Sequence, residues 1–97
     1  MYGLIAKLTA AQDKREELIA LLKSSAARMP GCYSYMVAKD SADDNVIWVT
    51  EVWDNEASHD ASLSLPAVRE AIPRAKLIVS HFEKIAATVP VWDGSQG

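Results

Sequence analysis

Val46-Ile47-Trp48-Val49-Thr50-Glu51-Val52-Trp53 is the stretch on which the fold turns. Its β-branched and aromatic residues suit a pleated strand. Alternation puts Val46, Trp48, Thr50 and Val52 on one face and Ile47, Val49, Glu51 and Trp53 on the other. An antiparallel strand with one wet face alternates apolar with polar, whereas this one is largely apolar on both sides. One face is therefore expected to meet helices and the other to meet protein again. In a chain of 97 residues the second cover is best supplied by another copy of itself, so a homodimer is expected.

Working outward, Asp40-Ser41-Ala42-Asp43-Asp44-Asn45 is turn chemistry. Before it, Cys32 to Lys39 carries Tyr33, Tyr35 and Val37 on one parity and Met36 and Ala38 on the other. The two strands predict an antiparallel hairpin. Further back, Tyr2 to Leu8 reads as a first strand. Thr9 with Gln12 has the spacing of a capping box and predicts that a helix begins there. Ala11, Arg15, Leu18, Leu22, Ser25 and Met29 recur at helical spacing up to Pro30-Gly31, which ends the helix.

Beyond Trp53, Asp54 is the expected N-cap of a short helix over Asn55 to Leu63. Ser64 and Pro66 suggest a second start running to about Ile72. Pro73 is expected to kink or stop it. Val79 to Val89 reads as a closing strand, although Ala75 to Val79 equally suits a helix extension. The order strand, helix, strand, strand, helix, strand is the split βαβ arrangement of a ferredoxin-like α+β domain with an antiparallel sheet. The expected division is a domain over residues 1–89 and a tail over 90–97, anchored if at all by Trp92.

Composition narrows the classes of function. Ten basic and thirteen acidic side chains give a formal charge of −3, with neither sign clustered, so no nucleic-acid partner is expected. No apolar run approaches the roughly 20 residues that span a bilayer, so no membrane helix is expected. Cys32 is the single cysteine, which allows no intrachain disulfide and suits a reducing compartment. The N-terminus lacks a basic and then apolar leader, and a cytoplasmic protein is expected. His59 and His81 have no His or carboxylate at i, i+4, so no metal is expected.

The segment Glu51-Val52-Trp53-Asp54-Asn55-Glu56-Ala57-Ser58-His59-Asp60-Ala61-Ser62-Leu63-Ser64-Leu65-Pro66 resembles the signature region of the antibiotic biosynthesis monooxygenase (ABM) family. The element order and length agree over nearly the whole chain. The resemblance implies a dimeric α+β barrel with two sheets packed face to face. It also implies oxygenation of a quinol- or anthrone-like aromatic by O2 without flavin, metal or haem, hence no cofactor. The electron-rich substrate would then be the reductant. The protein would bury the ring, favour its deprotonated form and stabilise the charge that develops on oxygen.

The sequence departs from that family where members commonly carry a His nine residues after the Trp, and often another shortly after the Pro. Ser62 and Ala67 stand there. His59 lies about one helical turn before Ser62 and is the candidate general base, since imidazole titrates near neutrality. Haem-degrading relatives use an Asn on the first strand, and Tyr2 to Leu8 has none, which disfavours haem degradation.

On this reading Trp53 stacks the aromatic substrate, and Glu51 or Ser62 is the hydrogen-bonding partner of His59. Tyr33 and Tyr35 line the cavity. Each has a plainer structural reading: Trp53 as a core residue, Glu51 as a solvated strand carboxylate, His59 as an exposed helix residue, the tyrosines as core or interface. Trp48 should serve the sheet face away from Trp53, and Arg69 and Arg74 read as solvated helix charges. The competing function is a non-enzymatic, small-molecule-binding or stress-associated dimer that keeps the pocket and lacks the acid-base residues.

Overall fold

The computed structural model describes residues 1–92. The elements are β1 (Tyr2–Ala10), α1 (Arg15–Ser25), β2 (Cys32–Lys39), β3 (Val46–Trp53), α2 (Glu56–Ser62), α3 (Pro66–Ile78) and β4 (Val79–Thr88). The four strands form one antiparallel sheet in the order β2-β3-β1-β4, the ferredoxin-like α+β arrangement. Period-2 patterning located β2 and β3 at their observed bounds.

Helices α1, α2 and α3 pack on the sheet face that carries Ala6, Leu8, Ile47, Val49, Glu51 and Trp53. Leu18 of α1 and Ile78 of α3 close the core against that face, and Leu18, Ile47 and Trp53 are fully buried. Small residues on β1, Ala6 and Ala10, leave room for the helices.

The first helix starts at Arg15, six residues after the Thr9 expected to cap it. β1 runs through Ala10, whose N–H donates to Asn45 O at 2.7 Å, and Ala11 N–H donates to Ile78 O at 2.7 Å. Those long-range bonds hold the chain extended past Thr9, and Asp13, at φ 64°, turns it into α1. The helix also stops at Ser25, well before Pro30. Cys32 N–H donates to Met29 O at 3.1 Å in a turn that aims the chain into β2.

Pro73 does not end its helix: α3 continues to Ile78. A helix-interior proline costs about 3 kcal/mol, and burying Ala71 and Ile78 on either side of it offsets a penalty of that size. Pro66 occupies the first turn, where its missing N–H is harmless.

The cap of α2 is Asn55 rather than Asp54. Asn55 Oδ1 accepts from Ser58 N–H at 2.9 Å, while Asp54 Oδ1 accepts from Asn55 N–H at 2.7 Å. Gly31, at φ 81°, sits directly beneath this cap, where a Cβ would lie 2.7 Å from both Asp54 Oδ1 and Ser58 Oγ. Only glycine lets β2 begin so close to α2.

No described helix lies on the opposite sheet face. There Ile5, Trp48 and Val52 are half-buried, and Met36 and Ala38 are exposed. Trp48 is clamped in place: its indole N–H donates to Asp40 Oδ1 at 2.8 Å, and Lys7 Nζ stands 5.7 Å from the ring centroid. Of the expected tail, residues 93–97 lie outside the described residues, and Trp92 is 69% exposed rather than anchored.

Candidate active site

Between the helices and the sheet lies a cavity of about 150 Å³. Its floor is Tyr35 of β2 and Glu51 of β3, directly opposite each other in the antiparallel register and therefore on the same face. One wall is α2, with His59 and Ser62. The roof is apolar and comes from α1 (Leu21, Leu22) and α3 (Val68, Ile72, Ala75), with Met29 beside it. Larger hollows of about 580 and 490 Å³ are surface grooves lined partly by the exposed Glu17, Arg74, Lys23 and Lys39, and another of about 260 Å³ lies between Gly31 and α2; Glu51 and His59 line none of the three.

Glu51 is only 8% exposed, and its Oε1 accepts from Trp53 Nε1–H at 3.0 Å. Burial pushes its carboxyl above the ordinary glutamate value, while the Trp53 N–H and the nearby His59 pull part of the way back. Burial also raises the Tyr35 phenol far above its usual range, with Glu51 and then Cys32 adding to the effect, so Tyr35 remains an O–H donor. The Cys32 thiol is pushed up by burial too, which makes it a poor nucleophile at neutral pH.

His59 is bracketed by aromatic rings. Its centroid is 5.5 Å from that of Trp53, nearly edge-on at 80°, and 5.7 Å from Tyr2 at 46°. The side chain is 19% exposed, and Nδ1 lies 3.3 Å from Asp60 Oδ1. A proton on Nδ1 shared with Asp60 leaves Nε2 as the basic nitrogen.

The structure thus brings together Glu51, Trp53, His59, Ser62 and Tyr35, with two of them placed otherwise than the sequence suggested. Trp53 is at 0% exposure and does not face the cavity; it lies behind Glu51 and His59, holding one by a hydrogen bond and the other by ring packing. The Ser62 hydroxyl donates to the His59 backbone carbonyl at 2.6 Å rather than to the imidazole.

Tyr33 is not brought to the site. A register shift between Cys32 and Ser34 makes Tyr33 the extra residue of a bulge, so it leaves the face of Tyr35 and stands 65% exposed. His81 is exposed on β4 with Nε2 3.0 Å from Glu83 Oε1, remote from the cavity lining. Sequence reasoning missed Tyr2, which reaches His59 because β1 pairs Tyr2 with Trp53. The apolar stripe of α1 announced a buried face, with no sign that part of it would roof a cavity.

A ferredoxin-like sheet with helices on one face and a glutamate, a histidine and a tyrosine lining a hollow between the layers defines a class of small α+β domain. Residues 1–74 match the family model of the antibiotic biosynthesis monooxygenases, and the chain belongs to that family. A protein of Chloroflexus aurantiacus J-10-fl grouped with these monooxygenases is 47% identical, with 99% of this chain and 98% of that one covered and a TM-score of 0.93. One from Deinococcus radiodurans is 26% identical over 100% and 99% of the two chains, with a TM-score of 0.80. A third, from Bacteroides thetaiotaomicron VPI-5482, shares the fold at 17% identity, with 99% and 94% coverage and a TM-score of 0.83. No curated protein is significantly similar to the chain. Among the described residues, no helix is long and apolar enough to cross a membrane.

Proposed function

We propose that this chain is a monooxygenase that works without a bound cofactor, as a cytoplasmic homodimer, on a quinol- or anthrone-like aromatic small molecule. The observation that supports it best is the cavity of about 150 Å³ whose ionisable lining is Glu51, His59 and Tyr35 in otherwise apolar surroundings. A hollow of that order takes one benzene-sized ring, so a single-ring dihydroxybenzene matches its volume and a polycyclic anthrone requires the helices to part.

His59 removes the phenolic proton, and the electron-rich anion passes an electron to O2. Recombination gives a ring peroxide, whose collapse releases water. For a dihydroxybenzene, one oxygen atom of O2 stays on the ring, giving a hydroxyquinone, and the other leaves as water with two hydrogens taken from the substrate. The substrate thereby supplies both electrons needed to reduce the second oxygen atom. Tyr35 donates to the developing oxyanion, and the buried Glu51 carboxyl, with its raised affinity for protons, delivers one to the departing oxygen.

The test is oxygen uptake by the purified, metal-free and flavin-free protein with a panel of hydroquinones and anthrones, beside His59→Ala. Uptake above the spontaneous rate that falls about 10²- to 10⁴-fold in the variant supports the reading. Ligand binding without uptake favours the non-enzymatic binding protein. One observation points that way: at Ser62, the hydroxyl is engaged by the helix backbone and offers no base.

A further inference from the structure

The polar lining of the cavity is one-ended. Tyr35 and Glu51 form the floor on adjacent strands and His59 stands beside them on α2. Opposite, the side chains from α1 and α3 are hydrocarbon, apart from Ser25, whose hydroxyl donates to Leu22 O at 3.2 Å. Leu21, Leu22, Val68, Ile72 and Ala75 offer a ligand no hydrogen bond. A ring seated here has its hydrogen-bonding partners concentrated along one edge, and across from them stands a single Ser25 oxygen whose proton is committed to Leu22 O.

From this arrangement we infer that the cavity selects aromatics whose hydroxyl groups lie on one edge of the ring, as in a catechol, over isomers that carry them at opposite ends. This rests on the proposed aromatic-substrate reading and narrows it. A catechol places one hydroxyl against Glu51 and Tyr35 and the neighbouring one toward His59, while the bare edge meets the roof. A para-hydroquinone that satisfies the floor drives its second hydroxyl into leucine, valine and isoleucine side chains, where it loses water and gains no partner. A buried hydroxyl without a partner weakens binding by about tenfold or more. The same asymmetry admits an alkyl substituent on the edge facing the roof.

The experiment compares catechol and hydroquinone, which share one composition and differ only in where the second hydroxyl sits. Both are titrated without oxygen into the full-length protein, following the NMR signal of the Trp53 indole N–H that rests on Glu51. The expected result is that catechol binds about tenfold or more tightly. Ile72→Asn, at a roof position already 38% exposed and therefore tolerant of a polar side chain, should bring the two within about threefold. Equal affinities in the unaltered protein, or a preference for hydroquinone, overturn the one-edge selection and leave the aromatic reading standing. Binding of neither isomer overturns both.

Discussion

The indole N–H of Trp53 donates to Oε1 of Glu51 across 3.0 Å, between two residues on the same strand and the same face. Alternation fixes that shared face, and burial gives the bond its force: Trp53 is fully enclosed and Glu51 nearly so. The tryptophan that the sequence nominated as a stacking surface is instead the support of a buried carboxyl.

Replacing Trp53 with Phe keeps most of the ring and removes the donor. A buried acceptor left without its partner costs about 1–3 kcal/mol, measurable by chemical denaturation. Because the Trp53 N–H holds the Glu51 carboxyl down, its loss should raise that group's pKa further, followed by the ¹³C signal of the carboxyl. An unchanged titration would show that the bond carries no electrostatic weight.

Glu51 should make stability fall as pH rises. Its folded pKa lies above the ordinary 4.5, so between the two values the native state holds more protons than the unfolded chain, and the slope of stability against pH is negative there. Glu51→Gln keeps an acceptor for Trp53 and removes the titration. Its melting temperature should gain on that of the unaltered protein as pH rises from the ordinary 4.5 toward the raised folded value, and the gain should level off once that value is passed. Parallel melting curves across that range would refute the assignment.

Asp40 should have the opposite sign. Its carboxylate accepts from Trp48 Nε1–H at 2.8 Å, from Asp43 N–H at 2.9 Å and from Ala42 N–H at 3.0 Å, and these bonds depress its pKa from 3.8 to about 2. The contribution is complete above the ordinary value and is lost as pH falls through about 2. Asp40→Ala should therefore melt earlier at neutral pH, with the deficit closing in strong acid. A deficit that persists at the acid end would mean that the loop, and not the charge, is at fault.

The uncovered sheet face gives a prediction about assembly. Met36 is 61% exposed there, so Met36→Asp should leave the fold of one copy intact by circular dichroism. If a second copy covers that face, the charge should convert a sedimenting dimer into a monomer. A variant that sediments with the unaltered protein would move the interface elsewhere.

Much of the fold was legible because it is written in near neighbours. Strand alternation placed β2 and β3, separated Trp48 from Trp53, and put Glu51 on the Trp53 face. The Glu51 to Pro66 segment pointed to the family that the match over residues 1–74 establishes.

What only the tertiary structure decided depends on pairings that no local pattern encodes. Asn45 and Ile78 claim the N–H groups of Ala10 and Ala11 and push α1 past its capping signal, while burial of Ala71 and Ile78 carries α3 through Pro73. A one-residue bulge sends Tyr33 out while Tyr35 stays in. Tyr2 and His59 meet because β1 lies beside β3 and α2 folds back over both. The sequence alone determined which residues could be buried together, since periodicity acts within a few residues. Which of them share one cavity was settled by register and by long-range hydrogen bonds, whose energies appear only once distant segments are side by side.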